Sequence, residues 1–280
     1  MIGLVDVGGG MRGIYGAGVM DCFLDHDIHF DYCIGVSAGS ANIASFLAGQ
    51  RGRNLRFYTI HALDKRYMSI QNWIKTNSYF GLDFIYHTLT DELDPIDYDT
   101  LLATKSIVKI VATNAEDGKP HYFSNNDFQR NNCEILKASC AIPALCRPVK
   151  VNGNLYFDGG VSDPIPLNRA LQDGCDKLVV ILTRPVDYIK EQEHARYLYS
   201  LLLKKYPRIT QALDNRHTLY MDSVRHLCEL ENKGKAVVIS PTKNNRITAA
   251  TKNVETLKAF YNLGFRDALT KLENSDLQFN

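Results

Sequence analysis

Residues 2–25 read IGLVDVGGGMRGIYGAGVMDCFLD, and the order of its parts decides the fold. A short apolar run, Ile2–Val7, gives way to a stretch of eleven residues, six of them glycine (Gly8, Gly9, Gly10, Gly13, Gly16 and Gly18). An apolar run this short with glycine punctuation reads as a buried strand. From Gly13 to about Asp27 the period changes. Tyr15, Val19, Cys22 and Phe23 fall at i, i+4, i+7 and i+8, one apolar face of a helix. Tyr32–Val36 repeats the strand signature and the alanine-rich Ala38–Ala48 the helical one. Strand, glycine loop, helix, strand and helix in succession open a parallel α/β sheet.

Further along, residues 51–100 read as mainly helical. Ser106–Asn114 is a strand rich in Ile and Val, Asp117–Gly118 supplies a turn, and His121–Ser124 returns as its partner. Asn132–Ala141 reads as a helix ended by Pro143. Val149–Val151 and Leu155–Phe157 flank Asn152–Gly153, a strong hairpin signal. In DPIPLNRALQDG (163–174), Asp163 fits an N-cap, Pro164 the first helical position and Gly174 the stop. Lys177–Leu182 and Ala236–Ser240 are strands, residues 188–233 read as helical, and Thr251–Leu272 forms a closing helix.

A chain of 280 residues, 45% hydrophobic and 22% charged, has the composition of an ordinary globular protein with a sizeable core. Its net charge of +1 gives no reason to expect a nucleic-acid partner. The seven cysteines include no C-x-x-C pair and read as reduced core thiols. With no signal-peptide pattern and no apolar run long enough to span a bilayer, a cytoplasmic location is expected, with peripheral membrane contact open.

A second glycine motif, GVSAGS (35–40), fits G-x-S-x-G. Ser37 falls between a strand and a helix, the turn a nucleophile elbow requires, and Gly35 and Gly39 let backbone crowd around it. The competing reading is an N-capping serine. A serine hydroxyl attacks only when a base takes its proton. The eight histidines give no clear candidate. His26 and His29 precede the elbow, His61, His87 and His121 stand in no motif, and His194, His217 and His226 lie in charged or amphipathic helical settings. An acid stands out instead. Asp158, in LYFDGG (155–160), follows a hairpin strand, and Gly159 and Gly160 allow another loop to approach. A turn-forming Asp-Gly is the plainer reading. Asp163, with a capping role available, ranks behind it.

Two readings of the first loop compete. As a dinucleotide fingerprint it uses Gly8, Gly10 and Gly13, but Asp31 then begins the second strand, whereas the ribose acid belongs at its end. As an oxyanion loop it shares a sheet edge with Ser37, so that one loop attacks a carbonyl and the other stabilises the charge produced. The second reading uses every feature.

GGGMRG (8–13), GVSAG (35–39) and DGG (158–160), in that order, resemble the patatin-like phospholipase family. RGIYGAGVMD (12–21) and SCAIPALCRPV (139–149) are similar to its bacterial branch, and the resemblance covers about residues 2–185. It implies a three-layer α/β/α sandwich with a mainly parallel central sheet. It also implies a lipid acyl hydrolase with Ser37 as nucleophile, Asp158 as general base and an acyl-serine intermediate. The implied oxyanion loop comprises Gly8, Gly9, Gly10, Met11, Arg12 and Gly13, with Arg12 bracing it or drawing in a phosphate headgroup. The substrate would be a lipid ester, with no metal and no cofactor. Residues 1–190 would form the catalytic domain, and residues 191–280 would complete the fold or form a small appended unit. The main rival is a regulatory module that binds a nucleotide or phosphate on the glycine loop. An α/β-hydrolase triad is the other, although only 36 residues precede Ser37. Phe57, Tyr58, Tyr67, Trp73, Tyr79, Phe80, Phe84 and Tyr86 form an aromatic-rich segment that reads as a lid or acyl groove, or as ordinary packing.

Overall fold

The computed structural model describes residues 1–192, 195–243 and 247–274; His194 lies outside them. One eight-stranded sheet organises the chain. Its strands are β1 (Ile2–Asp6), β2 (Tyr32–Val36), β3 (Ile107–Asn114), β4 (Pro120–Ser124), β5 (Val149–Val151), β6 (Asn154–Asp158), β7 (Lys177–Ile181) and β8 (Ala236–Ile239). The order is β5-β6-β3-β2-β1-β7-β8, with β4 also paired to β3. The run β3-β2-β1-β7-β8 is parallel throughout, and β4, β5 and β6 join by antiparallel pairing. The fold is thus a mixed, mainly parallel sheet with helices on both faces.

Both faces of the central strands are buried, so alternate side chains enter different layers. Leu4, Cys33, Val179 and Ile181 point to one core, and Val5, Ile34 and Val180 to the other. The first core is covered by α1 (Ile14–Asp25), α2 (Ala38–Leu47) and the helices of residues 53–102. Those are α3 (Arg53–Thr59), α4 (Ile70–Thr76), a π-helical segment Phe84–Leu93 and α5 (Tyr98–Leu102). After the short α6 (Glu134–Ser139), α7 (Leu167–Gln172) covers the second core. The span read as one helix over 188–233 contains α8 (Arg196–Leu202) and α9 (Pro207–Asn232), of which α9 lies on the second core. Pro207 sits at the first turn of α9, where a missing N–H costs nothing.

The last helix, α10 (Val254–Glu273), packs along α1. The two backbones approach so closely that a Cβ on Gly18 would lie 2.1 Å from the Tyr261 carbonyl oxygen, and one on Gly264 2.1 Å from that of Tyr15. Tyr15 donates to Asp267 (2.6 Å) and Tyr261 to Asp21 (2.6 Å), so both ends of this contact are also hydrogen-bonded.

The Asn152–Gly153 hairpin forms as expected, with φ of 48° and 86° at the two turn residues. The helix expected from Asp163 does not. It begins at Leu167, and Asp163 instead accepts a hydrogen bond from the Tyr122 hydroxyl (2.7 Å). The reason is local: Asp163 and Ile165 each precede a proline, which drives them out of helical backbone.

Candidate active site

Strand β1 has its sequence neighbour β2 on one side and β7 on the other, both parallel to it. The chain therefore winds away from β1 in two directions, and such a switch point leaves a crevice at the carboxyl ends of the strands. The glycine loop and the elbow lie there.

Ser37 follows β2 directly and has φ 56° and ψ −131°, a sparsely populated conformation costing about 1–3 kcal/mol. The surroundings hold it there. Its carbonyl accepts from the Ser40 amide (2.9 Å) and hydroxyl (2.6 Å). Its amide donates to Ser139 Oγ (2.9 Å), which donates in turn to the Val111 carbonyl (2.6 Å). Gly35 and Gly39 are required for space: a Cβ would lie 2.5 Å from Ser40 Cα and 2.3 Å from the Asp6 carbonyl oxygen, respectively.

The loop after β1 has positive φ at Gly8 (59°), Gly9 (114°) and Gly10 (60°), a run that disfavours any side chain. Beneath it lies a buried carboxyl, Asp6, inside the run Ile2–Val7 and without a motif of its own. Asp6 accepts from the Gly8 amide (2.9 Å) and from Asn42 Nδ2 (2.9 Å). Asn42 Nδ2 also donates to the Gly13 carbonyl (2.8 Å), and Tyr58 donates to Asn42 Oδ1 (3.1 Å). Burial pushes Asp6 up to about 6, against the pull of its bonds from Asn42 and Gly8. From the other side Thr183 Oγ1 donates to the Gly8 carbonyl (2.6 Å).

The bracing occupies part of the loop's set of amides. The Gly8 amide is committed to Asp6, and the Met11 amide donates to the Ala249 carbonyl (3.2 Å). The amides of Gly9 and Gly10 have no such partner among the described residues. Arg12 and Gly13 follow within the same 3-10 turn, Gly10–Gly13.

Asp158 ends β6, opposite Ala112 of β3. A Cβ on Gly159 would lie 2.2 Å from the Val111 carbonyl oxygen, so only glycine lets the chain turn there. Asp158 Oδ1 accepts from the Gly160 amide (2.8 Å). The carboxyl is 6% exposed and Ser37 7%. Burial pushes the Asp158 pKa up, while polar contact with the Ser37 hydroxyl, the Arg216 charge and the Gly160 amide pull it down. Arg216 Nε donates to the Gly160 carbonyl (2.6 Å). Asp163, bonded to Tyr122, does not line this cleft.

Ser37, Asp158, Gly9 and Gly10 share one open cleft of about 920 Å³. A smaller space of about 70 Å³ adjoins Ser37 and is lined by Tyr58, Tyr67, Phe80 and Tyr86. The aromatic segment thus divides: these residues are buried core that walls the space, whereas Trp73 and Tyr79 line the cleft. No histidine among the described residues lines either space. No His/Cys/Asp/Glu group among them is placed to hold a metal.

Residues 5–171 match the family model described as patatin-like phospholipase. The chain belongs to this family. Residues 206–276 match a second model, a domain of unknown function designated DUF6363. Over 269 residues the chain is 28% identical to the uncharacterized protein YjjU of Escherichia coli K12, covering 94% of this chain and 74% of YjjU. It is 25% identical over 198 residues to the lysophospholipase NTE1 of Candida albicans, covering 66% of this chain and 13% of that protein. Among solved structures it is similar to VipD from Legionella pneumophila, with a TM-score of 0.49 and 14% identity over 97% of this chain and 66% of VipD. Membership of a phospholipase family supports lipid hydrolase activity.

Proposed function

We propose that the chain is a serine lipid acyl hydrolase that works through a Ser37–Asp158 dyad and an acyl-serine intermediate. The observation that carries this reading is the meeting, in one cleft, of a strained serine, a buried carboxyl in contact with it, and two uncommitted loop amides. Asp158 takes the hydroxyl proton as Ser37 Oγ attacks the ester carbonyl. The developing oxyanion is met by the amides of Gly9 and Gly10, which the bracing of Gly8 by Asp6 and Thr183 holds in position before the reaction begins. The proton then passes from Asp158 to the departing alcohol oxygen. Water, deprotonated by the same carboxylate, releases the acyl group. Every step uses side chains and amides of the chain itself.

The base must be ionised to act, and burial holds its pKa above the ordinary 3.8. Activity therefore disappears on acidification at a pH above that value. Loss of fold does not account for this through the buried acids. Asp6 and Asp163 are both raised to about 6, so the native state binds more protons than the unfolded chain between about 4 and 6. Their contribution to stability is fully present at low pH and is lost as pH rises through 6. Profiles of kcat/KM on a soluble ester, with a thermal melt at each pH, separate the two. An activity limb that tracks the melt would contradict the assignment of Asp158.

A lipid surface is the expected place of work. Ile70 and Ile74 on α4 are 72% and 74% exposed, and Tyr197, Leu198 and Leu201 on α8 are 85%, 58% and 62% exposed. Ile70, Trp73, Leu198 and Leu202 line the cleft itself, so these two helices form an apolar rim on its mouth. The exposed Lys204 and Lys205 follow α8. No described helix is long and apolar enough to cross a membrane. The double substitution Ile74→Asp, Leu201→Asp is expected to lower hydrolysis on phospholipid vesicles about tenfold or more, from the lost apolar insertion of two side chains. Hydrolysis of a monomeric short-chain ester should fall far less. Equal losses on both substrates would rule the rim out as a docking surface.

The C-terminal region is proposed as part of the catalytic unit. Ala249 and Arg216 both reach the loops of the site, and α10 shares the core of α1.

A further inference from the structure

The small space beside Ser37 and the open cleft divide the groups of the site unequally. Asp158 and Gly9 line only the cleft, Ser37 and Gly10 line both, and Asn42 and Tyr67 line only the small space. The course of ester cleavage distinguishes the two. Asp158 hands its proton to the departing oxygen, so the alcohol half lies in the cleft. The carbonyl oxygen is held at Gly9 and Gly10. The acyl substituent is left with the remaining side, the space of about 70 Å³ between α2 and the aromatic segment. At about half the ~150 Å³ that encloses a benzene ring, this space suits the first carbons of an acyl chain.

Its walls are mainly apolar, with Phe57, Phe80, Leu82 and Ile85 among them. Tyr67 breaks the pattern. The residue is only 8% exposed, yet its hydroxyl has no hydrogen-bond partner among the described residues. The neighbouring hydroxyls are satisfied. Tyr58 donates to Asn42 Oδ1 (3.1 Å), Tyr86 to Cys140 Sγ (2.9 Å), and Ser40 to the Ser37 carbonyl (2.6 Å). Burial first, and then Cys140, push the Tyr67 pKa up, and Tyr67 in turn raises those of Tyr58 and Tyr86. These polar ends therefore share one region. It adjoins the elbow, because Cys140 is influenced by Asp158 and makes a polar contact with Ser40. Arg53, also buried and lining the space, is committed to the Asp94 carbonyl and Ser45 Oγ.

A buried hydroxyl without a partner costs free energy, and a plain alkyl chain beside it leaves that cost in place. An oxygen on the chain removes it. We propose that the small space is the acyl subsite and that Tyr67 selects acyl groups carrying a hydroxyl or keto oxygen on their first carbons, which accepts the Tyr67 hydroxyl. The inference rests on the hydrolase reading above, which puts the alcohol on the cleft side. A site that hydrogen-bonds a substrate oxygen discriminates against the analogue lacking it more sharply than pocket size alone can.

The test measures kcat/KM on three soluble 1-acylglycerols, with butanoyl, 2-hydroxybutanoyl and 3-hydroxybutanoyl chains, in wild type and Tyr67→Phe. Each rate is divided by the alkaline hydrolysis rate of the same ester, which removes differences in intrinsic reactivity. Tyr67→Phe deletes an oxygen that bonds nothing in the protein, so its melting temperature should equal that of wild type or exceed it. Wild type is expected to favour at least one hydroxyacyl ester about tenfold over the butanoyl ester, and Tyr67→Phe to remove most of that ratio. No preference in wild type, or a preference that survives Tyr67→Phe, overturns the selection while leaving the hydrolase intact. If no ester is hydrolysed at all, the hydrolase reading fails, and calorimetric titration with octanoate and its 2- and 3-hydroxy forms decides the subsite. Tighter binding of a hydroxy acid that Tyr67→Phe abolishes would sustain it. Equal binding of the three acids, or none, overturns it.

Discussion

Ser37→Ala is expected to reduce ester hydrolysis by roughly 10⁴-fold or more while leaving the melting temperature close to that of wild type, because the hydroxyl is the attacking group. The elbow keeps its shape without it, since the Ser37 amide and carbonyl, bonded to Ser139 and Ser40, hold the strained backbone. Asp158→Asn should cost about as much. The amide cannot accept the proton, yet Oδ1 can still receive the Gly160 amide. The double variant should be no worse than either single one, because two groups that act as one unit do not add. Retention of more than a few per cent of activity in Ser37→Ala would mean that another group attacks. Near-full activity in Asp158→Asn would mean that another base serves.

Gly10→Ala tests the other half of the chemistry. The position has φ 60°, and an added Cβ would meet the Ala249 carbonyl oxygen at 2.8 Å and Ala249 Cα at 2.9 Å. Neither atom is the end of a flexible side chain, so the loop itself must shift. The first consequence is a loss of about 1–3 kcal/mol of stability, from a non-glycine residue at positive φ and from the clash. The second is displacement of the Gly9 and Gly10 amides from the oxyanion, expected to lower kcat by about 10²–10³, the typical effect of losing one such donor. KM should change little, since the ground-state carbonyl depends less on these donors. Urea unfolding alongside steady-state kinetics separates the two. A variant destabilised but fully active would show that the loop does not stabilise the transition state.

The parts of this site that are legible in the sequence are those whose chemistry is local. Gly8–Gly10, Ser37 between strand and helix, and Asp158 before two glycines each announce themselves within a few residues, and the sheet brings them to one edge. The supporting groups carry no such local sign. Asp6 looks like the polar end of a strand, and only the packing of Gly39 against its backbone and of Asn42 against its carboxyl makes it the brace of the loop. Ser139 stands in SCAIP without any indication that its hydroxyl reaches the Ser37 amide. Ala249, Arg184 and Arg216 come from far along the chain, and no spacing rule joins them to Gly10 or Asp158. The helix misplaced at Asp163 is a different case. Both prolines are local signals, and Pro166 drives Ile165 out of helical backbone, so no helix opened at Pro164 can run on into Leu167.

Covalent acylation of Ser37 is tested most directly by treating the protein with a fluorophosphonate and locating the adduct by peptide mass spectrometry. One adduct per chain, on the peptide that contains Ser37, is expected in wild type, with labelling absent in Ser37→Ala and much slower in Asp158→Asn. An unlabelled wild-type chain that still hydrolyses esters, or an adduct on another residue, would contradict the Ser37 nucleophile.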